Sequence, residues 1–378
     1  MSDVVQILTS LIAIPSVNPA FVPKDHPDAG ERRVAEWLGA FAASAGLDVQ
    51  LVEVAPNRPN LLAVLQPAKP VKHRLILAPH LDTVGATRSG ISIFEPRRCK
   101  GRIHGRGACD TKGSVAAMIS ALARVARSGT RPPTTEVVFA GLMDEENGQA
   151  GSRAFAASGI KADLAIVGEP TRLQVVSAHK GDLWLEIHTS GKSAHGSTPK
   201  LGINAIHRMA GVVELLEKDY AHKLSLRAHP LLGSPTINVG WIQGGTQPNI
   251  VPESCSIQVD RRTIPGETEA GVRKEMAELF RTNGISATFG NLRAHPCPAL
   301  ETDTSLPWVK SFLRSAGKRQ TSGVNYFCDA AVLASVGIPS LVFGPGDIAQ
   351  AHTADEWITV ESLERAADLL ERFLRQLP

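Results

Sequence analysis

Nowhere in this 378-residue chain is there an apolar run of the roughly 18 to 20 residues that a bilayer crossing needs. The amino-terminal stretch MSDVVQILTSLIAIP is amphipathic, opens with an acid and carries no cleavage site, so it does not read as a secretory leader. Five cysteines, Cys99, Cys109, Cys255, Cys297 and Cys328, are scattered and lack CxxC spacing, which suits reduced thiols in a cytoplasm. There is no block of like charges and the net charge is only +3, so binding to nucleic acid or to a membrane surface has no electrostatic footprint. No glycine-rich dinucleotide or phosphate loop follows a strand, which argues against an oxidoreductase or a transferase. Repeats and low-complexity segments are also missing. These absences point to a soluble cytoplasmic protein with a small-molecule partner.

What is present is an ordinary globular composition, 43% hydrophobic and 20% charged, in a chain longer than one core usually serves. Two domains of unequal size are expected. Helical periodicity covers Val4 to Ala13, stopping before Pro15, and Glu31 to Ala45, stopping at Gly46. Strands are expected near Val49 to Val54, Leu61 to Leu65, His73 to His80, Thr135 to Leu142 and Ala162 to Val167, with an alanine-rich helix from Ser114 to Ser128. This alternation implies a mixed, mostly parallel sheet flanked by helices, an α/β fold. From about residue 179 the pattern changes to β-α-β-β-α-β: strands at Leu183 to Thr189, Pro235 to Trp241, Ser254 to Arg261 and Ile285 to Phe289, and helices at Asn204 to Glu217 and Glu267 to Asn283. That order describes a ferredoxin-like α+β insert. The first texture then resumes, with helices at Thr304 to Ala316, Asp329 to Val336 and Val360 to Gln376 and a short strand at Ser340 to Phe343. The expected domains are 1–178 and 295–378 together, with 179–294 inserted.

The stretch GRGACDTKGS, Gly105 to Ser114, places the single carboxylate Asp110 in a turn directly before a helix. The apolar strands beside it deliver polar residues at their carboxyl ends, where ligands collect in open α/β sheets: His80, the acids Asp144-Glu145-Glu146, and Glu169. His352 follows the short late strand. Taken singly, each of His80, Asp110, Glu146, Glu169 and His352 is more often a solvated surface group. Together they supply two imidazoles and three carboxylates, a mixture that Zn2+ prefers and that Co2+ or Mn2+ also accept. Asp82 lies two residues beyond His80, near enough to support the imidazole from behind. Glu145 and Glu146 point to opposite sides of an extended segment, so that one can ligate while the other is free for proton chemistry.

The chain resembles the M20 family of metallopeptidases and amidohydrolases, and within it the acetylornithine deacetylase and succinyl-diaminopimelate desuccinylase branch. The resemblance spans nearly the whole chain and rests on HLDTV at His80, GRGACDTKGS around Asp110, DEE at Asp144, GEPT at Gly168, GKSAHGSTP from Gly191 and GPGDIAQAHTADEW from Gly344. It implies two divalent ions, with His80 and Glu169 on one, Glu146 and His352 on the other, and Asp110 bridging. It further implies that Glu145, as general base, activates a water between the ions for attack on the amide of an N-acyl amino acid, N-acetylornithine first. Succinyl-diaminopimelate, carboxypeptidase or dipeptidase substrates are the alternatives in the same family, and a non-catalytic binding relative is a remote one.

The insert would be the family's lid, through which similar enzymes form homodimers. Within it the resemblance gives His195 the role of donor to the oxyanion, and gives Arg262 and Asn249 contacts with the substrate carboxylate and a polar substrate atom. Gly344 to Gly346 would let backbone approach the substrate. Cys109 and Cys328, though beside acids, read as buried structural thiols because no basic partner is visible. Tyr326-Phe-Cys-Asp-Ala departs from the Gly-Thr-Asp run of many relatives.

Overall fold

The computed structural model describes residues 2–85 and 93–378. It contains two compact units, one made of Met1–Ser177, Thr302–Ser322 and Cys328–Pro378, the other of Ala178–Glu301 and Gly323–Phe327.

In the first unit the chain forms α1 (Asp3–Ile12), α2 (Arg32–Ser44), β1 (Asp48–Ala55), β2 (Arg58–Leu65), β3 (His73–Pro79), β4 (Arg97–Cys99), β5 (Arg102–His104), α3 (Lys112–Arg127), β6 (Thr135–Gly141), α4 (Ala150–Ala157), β7 (Leu164–Gly168) and β8 (Val176–His179). The second unit holds β9 (Gly181–Ser190), α5 (Ala205–Leu215), α6 (Ala221–Ser225), β10 (Thr236–Gly244), β11 (Ser254–Thr263), α7 (Glu269–Thr282), β12 (Thr288–Asn291) and β13 (Leu300–Glu301). After it come α8 (Pro307–Ser315), β14 (Ser322–Val324), α9 (Ala330–Ser335), β15 (Ser340–Val342), β16 (Trp357–Thr359) and α10 (Val360–Arg375).

The main sheet runs β1-β2-β6-β3-β7-β15-β8. Its middle strands β6, β3, β7 and β15 are parallel, and β1, β2 and β8 are antiparallel additions at the sides. The fold class expected from the alternation is therefore observed, with the parallel character concentrated at the centre. The physical reason is legible in β3 and β7, whose residues are apolar without alternation because both faces are covered. Helix α3 is buried almost all round, since it lies in the core with α1 and α10. Its second residue, Gly113, must be glycine: a Cβ there would stand 2.6 Å from the carbonyl oxygen of Ala108.

The second unit has the order β9-α5-β10-β11-α7-β12 with an antiparallel sheet β10-β11-β9-β12, the ferredoxin-like arrangement. Leu185, Ile187, Met209, Val212, Ile257, Val259, Met276 and Phe280 form its own core. The helix expected over 204–217 runs further, through a π-helical turn at Leu216–Tyr220 into α6.

Sequence patterning did not reveal α4, or the three-stranded sheet β16-β5-β4, whose strands are three residues each and too short to carry a period. That small sheet matters, because β5 leads into the Asp110 turn and β16 follows the His352 loop. Among the described residues no helix is long and apolar enough to cross a membrane.

Candidate metal centre

Because β6, β3 and β7 are parallel, their carboxyl ends open onto one edge of the sheet. β3 delivers His80, β6 continues through Leu142 and Met143 to Asp144, Glu145 and Glu146, and β7 ends beside Glu169. Asp110 enters from the turn before α3, through a cis peptide bond to Thr111. His352 comes from the loop after β15 with a left-handed φ of 61°.

Five residues that lie as much as 272 positions apart in the chain thus meet. His80 Nε2 is 3.1 Å from Asp110 Oδ1 and 3.8 Å from Glu169 Oε1. His352 Nε2 is 3.4 Å from Asp110 Oδ2 and 3.0 Å from Glu146 Oε2. The two oxygens of Asp110 therefore face two different imidazoles. The residues resolve into two triads, His80, Asp110 and Glu169, and Asp110, Glu146 and His352, each able to bring its ligand atoms within 4.8 Å of one another. Among the described residues, Glu146 Oε1 and Glu169 Oε1 are buried with no hydrogen-bond donor. Buried carboxylate oxygens without a donor, gathered with two imidazoles, are what a pair of divalent cations would satisfy. The residues present fit such ions.

In metal-free protein, protons partly balance this negative charge. Burial opposes the His80 proton, but the hydrogen bonds to Asp110 and Asp82 and the charge of Glu169 prevail and hold the imidazole well above its usual range. Asp110 and Glu146 together raise His352 to about 10. Burial and the charge of Asp110 push Glu146 up to about 7, and burial with the charge of Glu169 pushes Glu145 well above the carboxylate range. A raised carboxyl beside a cation cradle is suited to accepting and returning a proton.

The supports are as built as the ligands. His80 Nδ1 donates to the main-chain oxygen of Asp82 at 3.0 Å, closer than the carboxylate at 3.4 Å, so backbone and side chain of Asp82 share the task expected of the side chain alone. The Asp82 carboxylate accepts from the amides of Glu145 and Glu146, at 3.0 and 3.1 Å, and from Asn18 Nδ2 at 2.8 Å. Asn18 also reaches Asp144, which Arg58 ties to Glu31. Ser152 donates at 2.6 Å to the buried Asp329. Sequence reading passed over Asn18, Arg58, Asp329 and Glu356. Their one sequence signal was polarity within segments otherwise destined for burial.

Other expectations fare differently. Gly344 is explained within the protein, since a Cβ there would lie 2.3 Å from Ser114 Oγ and 2.5 Å from the oxygen of Glu169; the close approach is to the chain itself. Lys112 is buried and donates from Nζ to the carbonyls of Leu11 and Ile14 at 2.9 and 2.7 Å, holding the end of α1. Cys109 and Cys328 are buried, and burial raises both thiols, so neither is a ready nucleophile.

His195, Asn249 and Arg262 belong to the second unit. His195 and Asn249 are neighbours there, for the amide of Gly196 donates to the Asn249 oxygen at 2.7 Å. The Ser197 amide donates to His195 Nδ1 at 3.2 Å, which leaves Nε2 as the N–H donor of the neutral ring. Arg262 presents its fork to Asp260, at 2.9 and 3.0 Å, and lies 3.5 Å from Asp182.

The chain is similar to known proteins over nearly its whole length. The profile of Peptidase family M20/M25/M40 matches residues 76–376. An acetylornithine deacetylase of Vibrio cholerae is 32% identical over 353 residues, covering 91% of this chain and 90% of the relative. One from Vibrio vulnificus is 31% identical over 385 residues, covering 99% and 97%. Among solved structures, a tripeptidase of Staphylococcus aureus superposes with a TM-score of 0.78 at 22% identity, covering 99% of this chain and 97% of its own. A dinuclear metal-binding peptidase of Bacillus subtilis gives 0.73 at 14% identity, covering 98% and 96%.

Proposed function

The chain belongs to peptidase family M20, and on that premise we propose that this metal-dependent amidohydrolase removes the acyl group from an N-acyl amino acid, N-acetylornithine first among them. The observation that carries the reading is the pair of triads joined through Asp110, with Glu145 held beside them by Asp82. His80 and Glu169 would hold one ion, Glu146 and His352 the other, and Asp110 both. Zn2+ suits this nitrogen and oxygen donor set best, and Co2+ or Mn2+ can substitute.

When bound, the ions supply a Lewis acid for the amide carbonyl and an acidified water. Glu145 takes the proton from the attacking water and returns it to the amide nitrogen as the bond to the acyl carbon breaks. Its raised affinity for a proton in the metal-free fold is consistent with both halves of that task. Asp82 keeps Glu145 in place through its main chain.

In the second unit, His195 Nε2 is an N–H donor suited to a developing oxyanion, and Asn249 beside it offers a polar substrate contact. Arg262 suits an α-carboxylate because its planar fork bonds both oxygens, which here means leaving Asp260. The unit would act as lid and homodimer surface. Strand β10 forms an edge of its sheet and exposes Trp241 and Ile242, and Ile206 on α5 is exposed as well. The setting is cytoplasmic.

The test is a panel of N-acetyl, N-formyl and N-succinyl amino acids and dipeptides, offered to Zn2+- and Co2+-loaded protein with Glu145→Gln as the control. Acetylornithine should give the highest kcat/KM. A higher value for succinyl-diaminopimelate or for a dipeptide would reassign the substrate, and activity retained in Glu145→Gln would remove the base. For the dimer, mixing His195→Ala and Glu145→Gln protomers should restore turnover if the histidine serves the partner's site; verified heterodimers without activity would sink that role.

A further inference from the structure

Glu356 lies four residues beyond His352 and is 3% exposed, a buried acid at the amino side of β16. Its carboxylate is directed into the turn that carries Asp110. Oε1 accepts from the amides of Cys109 and Asp110, at 2.8 and 2.9 Å. Oε2 accepts from the amide of Gly107 at 3.0 Å and from Arg106 Nη1 at 2.8 Å. The main-chain oxygen of Glu356 accepts from the amide of Gly105 at 3.0 Å. The strands on either side are paired as well, Trp357 of β16 opposite His104 of β5. A carboxylate has about four acceptor positions, and here four donors from a single turn converge on them.

The two triads differ in what holds them. His80 and Glu169 follow β3 and β7, which are paired with each other up to Pro79 and Gly168, so the sheet sets their separation. His352 has no such strand directly beneath it. Three residues, Thr353, Ala354 and Asp355, separate it from Glu356, which grips the Asp110 turn. The distance from Asp110 to His352 is thus set through Glu356 and the small sheet.

We propose that Glu356 is a positioning residue that locks the His352 loop to the Asp110 turn and so builds the second, outer cation site. This rests on the dinuclear reading given above. Glu356 touches neither the reacting atoms nor the ions. It ties the His352 loop to the shared ligand, whereas the sheet already holds His80 and Glu169, so its loss should weaken the outer ion more than the inner one.

The experiment is a calorimetric titration of metal-free protein with Zn2+ and, separately, with Co2+. The parent should take up two equivalents. Glu356→Gln keeps the shape but turns an amide N–H2 toward backbone N–H donors, and should bind the second equivalent roughly 10- to 100-fold more weakly while the first changes far less. Turnover of the variant should recover when free metal is raised in proportion. A purely structural role would lower Tm and leave both affinities as in the parent, and that result in folded protein overturns the proposal. If Glu356→Gln does not fold, Glu356→Asp, which keeps the charge and shortens the reach by one methylene, is titrated in its place, and an unchanged second affinity there overturns it equally. A parent that binds fewer than two equivalents defeats the dinuclear reading and the proposal with it, and the parent's own stoichiometry tells that failure from a failure of Glu356 alone.

Discussion

The two halves of the candidate metal centre offer the same kinds of donor and share one residue, yet they are built differently. The inner half has His80 at 1% side-chain exposure and Glu169 at 5%, both at the ends of paired central strands. The outer half has Glu146 at 6% but His352 at 55%, on a loop with left-handed backbone. Ligand chemistry alone would make the halves equal. Burial and anchoring make them unequal, because a ligand fixed by a sheet loses little freedom on binding an ion, whereas one on an exposed loop must be ordered each time. The inner half should therefore retain its ion and the outer half exchange it.

Removing what the halves share should have the largest effect. Asp110→Ala is expected to cost both ions, with metal content per chain falling from two toward zero after dialysis and hydrolysis lost. One site keeping its parent affinity would show that Asp110 does not bridge.

Removing one histidine at a time tests the inequality directly. His352→Ala should keep about one ion per chain and, measured above pH 10 where its own proton has left, should leave the thermal transition of the metal-free protein close to that of the parent. His80→Ala should also lower that transition, because it strips a buried partner from Asp110 and Asp82. Equal changes in metal content and in Tm for the two variants would abolish the distinction.

The smallest expected effect is on pH dependence. His352 is raised from its ordinary 6.5 to about 10 in the metal-free fold, chiefly by Asp110 and then Glu146. A proton held more tightly in the folded state stabilises it fully below about 6.5, and this stabilisation is lost as the pH rises through about 10. The metal-free parent should therefore lose more Tm between pH 7 and 10 than His352→Gln does. The same proton must leave before the outer ion binds, so outer affinity should climb over this range. An identical pH profile in the variant would remove His352 as the titrating group.

Much of this was legible in the chain before any tertiary contact was known. Long elements with a clear period, such as α1, α3, β3 and α10, were placed within a few residues, because burial of one face or of both leaves a pattern in the residues themselves. The five candidate ligands that the structure brings together were legible from their places at strand ends or in turns and from the M20-like motifs around them. Glu356 was not, although it stands in the same tail motif as His352, since nothing in TADEW says that its glutamate turns inward to a backbone turn 246 residues earlier. Asn18 and Arg58 were hidden for the same reason: each acts through a partner distant in sequence, and neither sits in a stretch with a period.

Taken alone, the sequence determined which residue types stand where apolar strands end, and hence that two imidazoles and a set of carboxylates were available to cations. Apolar patterning and glycine placement are local properties, so they can be read locally. Only the tertiary structure decided how the ligands divide. It turned the two oxygens of Asp110 toward different histidines, buried one of those histidines and exposed the other, and assigned the support of one half to the sheet and of the other to a single carboxylate. Those outcomes depend on contacts between residues far apart in the chain, where burial, charge and hydrogen-bond geometry are settled together by the fold.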